Sequence, residues 1–190
     1  MEYGFIFDYD GILINSMEVH YKANVIVLSE IEVPMDKKRY FSQAGMTGVE
    51  QIRSFCESVG VTADYEALYK RKKEIFETML HEVTGIDRNL EFYNTLVASG
   101  TKVAVATGCS RETLETTSKY LNIFVPASVC GGEVKRGKPH PDLFLEAARL
   151  LGLAPSKCTV VEDSDVGAEA AANAGMACLR FYDYIFGKDG

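Results

Sequence analysis

The chain reads as an α/β protein whose parallel-sheet core is interrupted, after its first strand, by a small α-helical insert. Three observations carry that reading. Four short apolar segments each lead to or from a polar or glycine-containing loop, capped helices follow two of them, and residues 16–85 show helical apolar spacing without a buried strand.

Residues 3–7 are apolar and aromatic, stop at Asp8 and are followed by Gly11, the pattern of a buried strand running into a loop. Residues 102–106 before Thr107-Gly108, 158–161 before Glu162-Asp163, and 176–181 repeat it. Ser110 opens a helix over 110–120 with Glu112 in its first turn, and an alanine-rich helix over 166–174 stops at Gly175. A third, over 141–151, starts on Pro141 and Asp142 and ends at Gly152. Strands alternating with helices across 88–181 predict β-α units and a sheet covered on both faces. In the insert, 17–31, 49–59 and 65–80 carry apolar residues at helical spacing. The basic clusters Lys37-Lys38-Arg39 and 70–73 fall on polar helical stretches, where solvated faces are expected.

Composition narrows the function. The 190 residues hold 20 basic and 27 acidic side chains, a net charge of −7, which argues against a nucleic-acid binder because such proteins present a basic face. No apolar run approaches the roughly 18 residues of a membrane span, and the start has no basic segment leading into an apolar one. A cytoplasmic protein is expected. Five widely spaced cysteines, without a C-x-x-C pair, are expected to be reduced thiols rather than zinc or redox sites.

Ligands of open parallel sheets bind beyond the carboxyl ends of the strands. Asp8 and Asp10, Thr107 and Gly108, and Glu162 and Asp163 all follow predicted strands, so three separate pieces of chain should meet at one edge. Carboxylates gathered there repel one another unless a cation or protons intervene. Oxygen donors without a cysteine or histidine cluster suit a hard cation such as Mg²⁺. At least one side chain of Asp163-Ser164-Asp165 should also cap the following helix.

The D-Y-D-G string at 8–11 adds chemistry that capping does not supply. Two carboxylates two residues apart converge on one centre, where one can attack phosphorus while the other handles protons, and Gly11 permits a tight turn. Thr107 and the Gly108 amide offer neutral donors to phosphoryl oxygens, and Lys138, between Gly137 and Pro139, offers a positioned cation.

The strings D-Y-D-G-I-L-I-N-S at 8–16, A-T-G-C-S-R at 106–111, K-P-H-P-D at 138–142 and V-V-E-D-S-D-V-G-A-E-A-A at 160–171 resemble, in order, the four motifs of the haloacid dehalogenase-like superfamily. More narrowly they resemble its β-phosphoglucomutase-like phosphatase branch. The resemblance implies a Rossmann-like core from 1–15 and 86–190, with 16–85 as a mobile helical cap that excludes water and selects the substrate. It implies Asp8 as nucleophile and metal ligand, Asp10 as general acid/base that also offers its backbone carbonyl to Mg²⁺, and Thr107, Gly108 and Lys138 as phosphate-binding residues. Asp163, with Glu162 beside it, completes the implied metal set of Asp8, Asp10, Glu162 and Asp163. In the cap it points to His20 and Lys72 and to a specificity loop, 44–48, containing Gly45 and Met46.

Two departures refine the expectation. That loop carries Met46 and Thr47 where a mutase would place an arginine for a second phosphate, so a hydrolase is expected over a hexose-phosphate mutase. The turn into the core helix after the cap reads Gly85-Ile86-Asp87-Arg88-Asn89, without the proline-glycine pair common in relatives. Asp10 also disfavours a dehalogenase or a phosphonate-cleaving relative. The expected enzyme is a Mg²⁺-dependent phosphomonoester hydrolase of a small phosphorylated metabolite, a sugar or polyol phosphate; such two-domain enzymes are commonly monomers. A catalytically silent phosphate-binding module is the alternative from another class.

Overall fold

The structure is a computed structural model that describes residues 2–43 and 46–181. Strand β1 (Gly4–Phe7) leads through a tight loop into the two-residue β2 (Ile14–Asn15). Helices α1 (Met17–Ser29), α2 (Lys37–Ser42), α3 (Gly48–Ser58) and α4 (Tyr65–Thr78) follow before β3 (Thr84–Gly85), which pairs antiparallel with β2. Helix and strand then alternate through α5 (Asp87–Ala98), β4 (Lys102–Ala106), α6 (Arg111–Tyr120), β5 (Ser128–Val129), α7 (Asp142–Leu151), β6 (Cys158–Glu162), α8 (Asp165–Asn173) and β7 (Ala177–Arg180).

The five long-range strands form one parallel sheet in the order β5-β4-β1-β6-β7. Alternation along β1 and its neighbours decides which residue meets which layer. Ile6, Ala104, Ala106 and Val160 pack with Leu143, Phe144 and Ala147 of α7 and with Ala170 and Ala171 of α8. Phe7, Val103, Val105 and Val161 pack with Tyr93 of α5 and Leu114 of α6. Both faces are therefore covered, as the near-continuous apolar runs predict.

Register places the loops. Phe7 lies opposite Val105 and Val161, so Asp8, Thr107 and Asp163 all leave the sheet within two residues of one line. The chain runs from β1 outward on one side and returns on the other through β6, so this line ends at the topological switch point where ligands bind.

The helices stop and start close to where their caps predict. Ser110 accepts from the Thr113 amide and Ser164 from the Gly167 amide, so Ser164 is the capping residue of the 163–165 trio. Thr47 and Glu50 form a reciprocal capping box at α3. The α2 helix and the two-residue strands β2, β3 and β5 are too short to produce a period and were not predicted as elements. Two basic positions are not solvated as expected. Arg39 bonds Ser54 and Ser58 and stacks over Phe55, and Lys72 is buried.

Residues 16–85 have an apolar cluster of their own around Leu28, Tyr40, Ile52 and Phe55. Val19, Ala23, Val27, Ile75 and Phe76 of α1 and α4 instead join the cluster containing Phe7 and Tyr93. Among the described residues no helix is long and apolar enough to cross a membrane.

The loop after β1 is held from behind. Asn89 Nδ2 donates to the Ile12 carbonyl at 2.8 Å, and Ile86 N donates to the Leu13 carbonyl at 3.0 Å. Ile12 is fully buried, so removing the amide leaves its carbonyl without a partner. Asn89→Leu is expected to cost about 1–3 kcal/mol in urea denaturation, with an unchanged m-value; a loss below about 0.5 kcal/mol would show the bond to be dispensable.

Candidate active site

Asp8 is the first residue past β1, and its amide is still in the ladder, donating to the Val161 carbonyl at 2.9 Å. Its Oδ1 lies 2.9 Å from Lys138 Nζ, which reaches 2.6 Å from Glu162 Oε1 on its other side. The Lys138 side chain has no exposure, in keeping with the positioned cation that its place between Gly137 and Pro139 predicts. Burial disfavours its charge, but Asp8 and Glu162 outweigh that and hold the ammonium well above the ordinary lysine range.

Glu162 is fully committed. Beyond Lys138, its Oε2 accepts from the Ser164 amide at 2.7 Å and the Ser164 hydroxyl at 2.9 Å. These contacts overcome burial and keep it ionised. One buried side chain thus fixes Lys138 and the start of α8 together.

Asp8, Glu162 and Asp163 offer carboxylate oxygens that all lie within 4.8 Å of one another. Burial raises Asp8 well above the carboxylate range despite Lys138, with Glu162 and Asp163 adding to the rise. Burial and Glu162 push Asp163 up to about 7. Oxygen donors that resist ionising for want of positive charge are a set that a hard divalent cation would satisfy. Gly11 is required beside them. Its φ is +87°, and a β-carbon there would sit 2.3 Å from Asp163 Oδ2.

Asp10 faces a different environment. Ser16 Oγ donates to its Oδ1 at 2.5 Å, Thr107 Oγ1 to its Oδ2 at 3.3 Å, and His20 Nε2 lies 3.3 Å from Oδ1. Lys72 Nζ lies 2.7 Å from His20 Nδ1. An ammonium only donates, so Nδ1 must accept, and the neutral ring carries its proton on Nε2, directed at Asp10. Burial, followed by Lys72, depresses His20. Burial would raise Asp10, but His20, Ser16 and Lys72 together hold it at about 2. His20 is fixed further by stacking on Phe76, with ring centroids 4.1 Å apart.

These groups line one cleft that opens to solvent. Its floor is Asp8, Asp10, Thr107, Gly108, Cys109 and Asp163, and its roof is Met17, His20, Tyr40, Met46, Gln51, Tyr69 and Lys72. The sequence-predicted His20, Met46 and Lys72 reach it, whereas Gly45 lies outside the described residues. Among the described residues no arginine lines it; Arg53 stacks on Tyr65 instead. Ser16, Tyr40, Gln51 and Tyr69 were not singled out from the sequence. Tyr69 occupies ordinary helical core spacing and Tyr40 sits on a helix too short to show a period, and only the folding of α2 and α4 over the sheet edge turns them into a wall.

The sequence profile of the haloacid dehalogenase-like hydrolases matches residues 5–181. A phosphorylated carbohydrates phosphatase of Thermotoga maritima is 31% identical over 186 residues, covering 95% of this chain and 84% of its own. Hexitol phosphatase A of Escherichia coli is 30% identical, covering 90% and 79%, and β-phosphoglucomutase of Bacillus subtilis is 28% identical over the same shares. Among solved structures, a hydrolase from Pseudomonas syringae superposes with a TM-score of 0.86 at 26% identity, covering 94% of this chain and 84% of that one.

A doubly covered parallel sheet carrying carboxylates and a buried lysine at its switch point defines the class as a phosphate-handling α/β enzyme. The chain belongs to the haloacid dehalogenase-like hydrolases, in the β-phosphoglucomutase-like branch, and is a phosphoric monoester hydrolase.

Lys72 gives the site a measurable cost. Burial lowers it to about 8, so the folded state holds its proton less tightly than the unfolded chain. That penalty is present in full below pH 8 and fades as pH rises above it. Lys72→Met is expected to stabilise the protein by about 1–3 kcal/mol at pH 7 while lowering turnover. Denaturant titrations at pH 7 and pH 9.5 should show the advantage shrinking at the higher pH; an equal advantage at both would refute the burial cost.

Proposed function

We propose that the protein is a Mg²⁺-dependent phosphatase that hydrolyses a small phosphorylated metabolite, a sugar or polyol phosphate, through an aspartyl-phosphate on Asp8. The observation that carries this reading is the placement of Asp8, gripped by buried Lys138, beside Asp163 and across the cleft floor from Thr107. The named activities of the Thermotoga and Escherichia relatives support the substrate class.

Asp8 and Asp163 would hold Mg²⁺ through their carboxylates and Asp10 through its backbone carbonyl. Glu162, with both oxygens engaged by Lys138 and Ser164, serves beside the ion rather than on it. Bound there, the ion supplies positive charge to ionise Asp8 and to offset charge on the phosphoryl oxygens.

Asp8 attacks phosphorus in line and the P–O bond to the leaving oxygen breaks. Lys138, Thr107 and the Gly108 amide stabilise the phosphoryl oxygens. Asp10 protonates the leaving oxygen and then takes a proton from the water that cleaves the acyl-phosphate. With Ser16, His20 and Thr107 bound to it, Asp10 is in the ionised form, the one suited to activating water. Its acid role therefore requires release from those partners and uptake of a proton.

We assign residues 16–85 as the cap and 1–15 with 86–190 as the core. Tyr40, Gln51 and Tyr69 give the roof neutral polar and aromatic groups for a hydroxylated substrate body, and among the described residues no arginine lines the cleft for a second phosphate. The expected compartment is the cytoplasm, consistent with five free cysteines.

Hydrolysis of an aryl phosphate should require Mg²⁺, be abolished by EDTA, and fall by at least about 10³-fold in Asp8→Asn. Inactive wild type, or an Asp8→Asn variant of equal rate, would overturn the assignment. β-Glucose 1-phosphate with a trace of bisphosphate should release free phosphate; accumulation of the 6-phosphate would identify a mutase instead.

A further inference from the structure

Arg111 and Glu133 lie outside the cleft, yet they build a brace against its phosphate-binding turn. Arg111 Nε and Nη2 bind Glu133 Oε1 and Oε2 at 2.9 and 2.8 Å, a bidentate pair, while Nη1 and Nη2 reach the Ser128 hydroxyl and carbonyl at 2.5 and 3.1 Å. Glu133 Oε2 also accepts from the Cys130 amide at 2.9 Å, and Glu133 N donates back to the Cys130 carbonyl at 3.1 Å. The turn after β5 is thereby closed on itself and clamped to the first residue of α6.

That turn presents Gly131 to the loop after β4. Gly131 N donates to the Cys109 carbonyl at 2.8 Å. A β-carbon at position 131 would sit 2.2 Å from the Gly108 carbonyl oxygen and 2.9 Å from its carbon. Both obstacles are backbone, with no rotamer to swing aside.

The Gly108 carbonyl and the Cys109 amide belong to one planar peptide unit. Its carbonyl side rests on Gly131, and its N–H donates to Thr107 Oγ1 at 3.1 Å. With one lone pair of that hydroxyl occupied, its proton is turned away from the peptide, toward Asp10 Oδ2 at 3.3 Å and the cleft. We propose that Gly131, held by the Arg111–Glu133 brace, is a positioning residue that sets the 108–109 peptide plane and through it the direction of the Thr107 hydroxyl. This inference rests on the proposed role of Thr107 in binding phosphate.

The experiment measures inorganic phosphate binding by titration calorimetry at saturating Mg²⁺, with Mg²⁺ affinity and thermal midpoint recorded alongside. Gly131→Ala is expected to weaken phosphate binding about tenfold and to lower kcat/KM for an aryl phosphate by about 10²-fold, the scale of a displacement near 1 Å. Mg²⁺ affinity should stay within about twofold. Glu133→Gln, which loosens the brace without filling the contact, should move phosphate affinity in the same direction by a smaller factor and decides the matter if Gly131→Ala does not fold.

A general loss of structure is separated by the Thr107→Val background. There Gly131→Ala should add less than about twofold, because the hydroxyl it orients is gone. Wild-type phosphate affinity in folded Gly131→Ala, or in Glu133→Gln, or an undiminished effect in the Thr107→Val background, would overturn the proposal while leaving the phosphatase reading intact. Failure of the wild type to bind phosphate would remove both.

Discussion

The buried contact of Lys138 with Asp8 and Glu162 is the constraint on which the rest of the site depends. An ammonium without solvent exposure is tolerable only when carboxylates on both sides compensate for the water it has lost. Meeting that condition requires β1, β6 and the loop before α7 to end at one place, and the pairing of Phe7 with Val161 brings the first two together. Glu162 passes the constraint on, because its second oxygen captures the Ser164 amide and so fixes where α8 begins. Asp163, between the two, is left with no choice but to face Gly11 and Asp8.

The same crowding explains the mixture of charge states. Three carboxylates share one lysine, so Glu162, which has the most hydrogen bonds, ionises and the other two are pushed toward protonation. The deficit of positive charge is a property of the folded site and not of the chain's overall balance of −7. It fits the proposed metal dependence: a divalent cation beside Asp8 and Asp163 would supply the positive charge that the folded site lacks.

Much of this was legible in the sequence because strands that end in charged residues announce a sheet edge. Asp8, Thr107, Lys138 and Asp163 each follow or flank a local signal, and their convergence follows from parallel topology. What was not legible depends on contacts between distant helices. Lys72 belongs to a run of charges that reads as a solvated face, and it is buried only because α4 lies across α1, where His20 waits. Arg39 misleads in the same way, since its partners Ser54 and Ser58 sit on another helix. Glu133 and Gly131 carry no local signal, because their role comes from a two-residue strand that has no period.

The two buried lysines show how position, and not residue type, sets chemistry. Lys138 touches two carboxylates and its charge is locked; Lys72 touches a neutral imidazole, with Asp10 one residue further away, and its charge is held loosely near 8. A locked cation suits the unchanging task proposed for Lys138, neutralising the phosphoryl group and the Asp8 nucleophile. A loosely held one suits a group that must exchange partners, since the cost of moving its charge is small. Because Lys72 and Met46 come from the roof and Lys138 from the core, any separation of roof and floor leaves the locked charge untouched and breaks the chain from Lys72 through His20 to Asp10. In the proposed mechanism this would tie the acid/base Asp10 to closure of the cap and leave the nucleophile Asp8 independent of it.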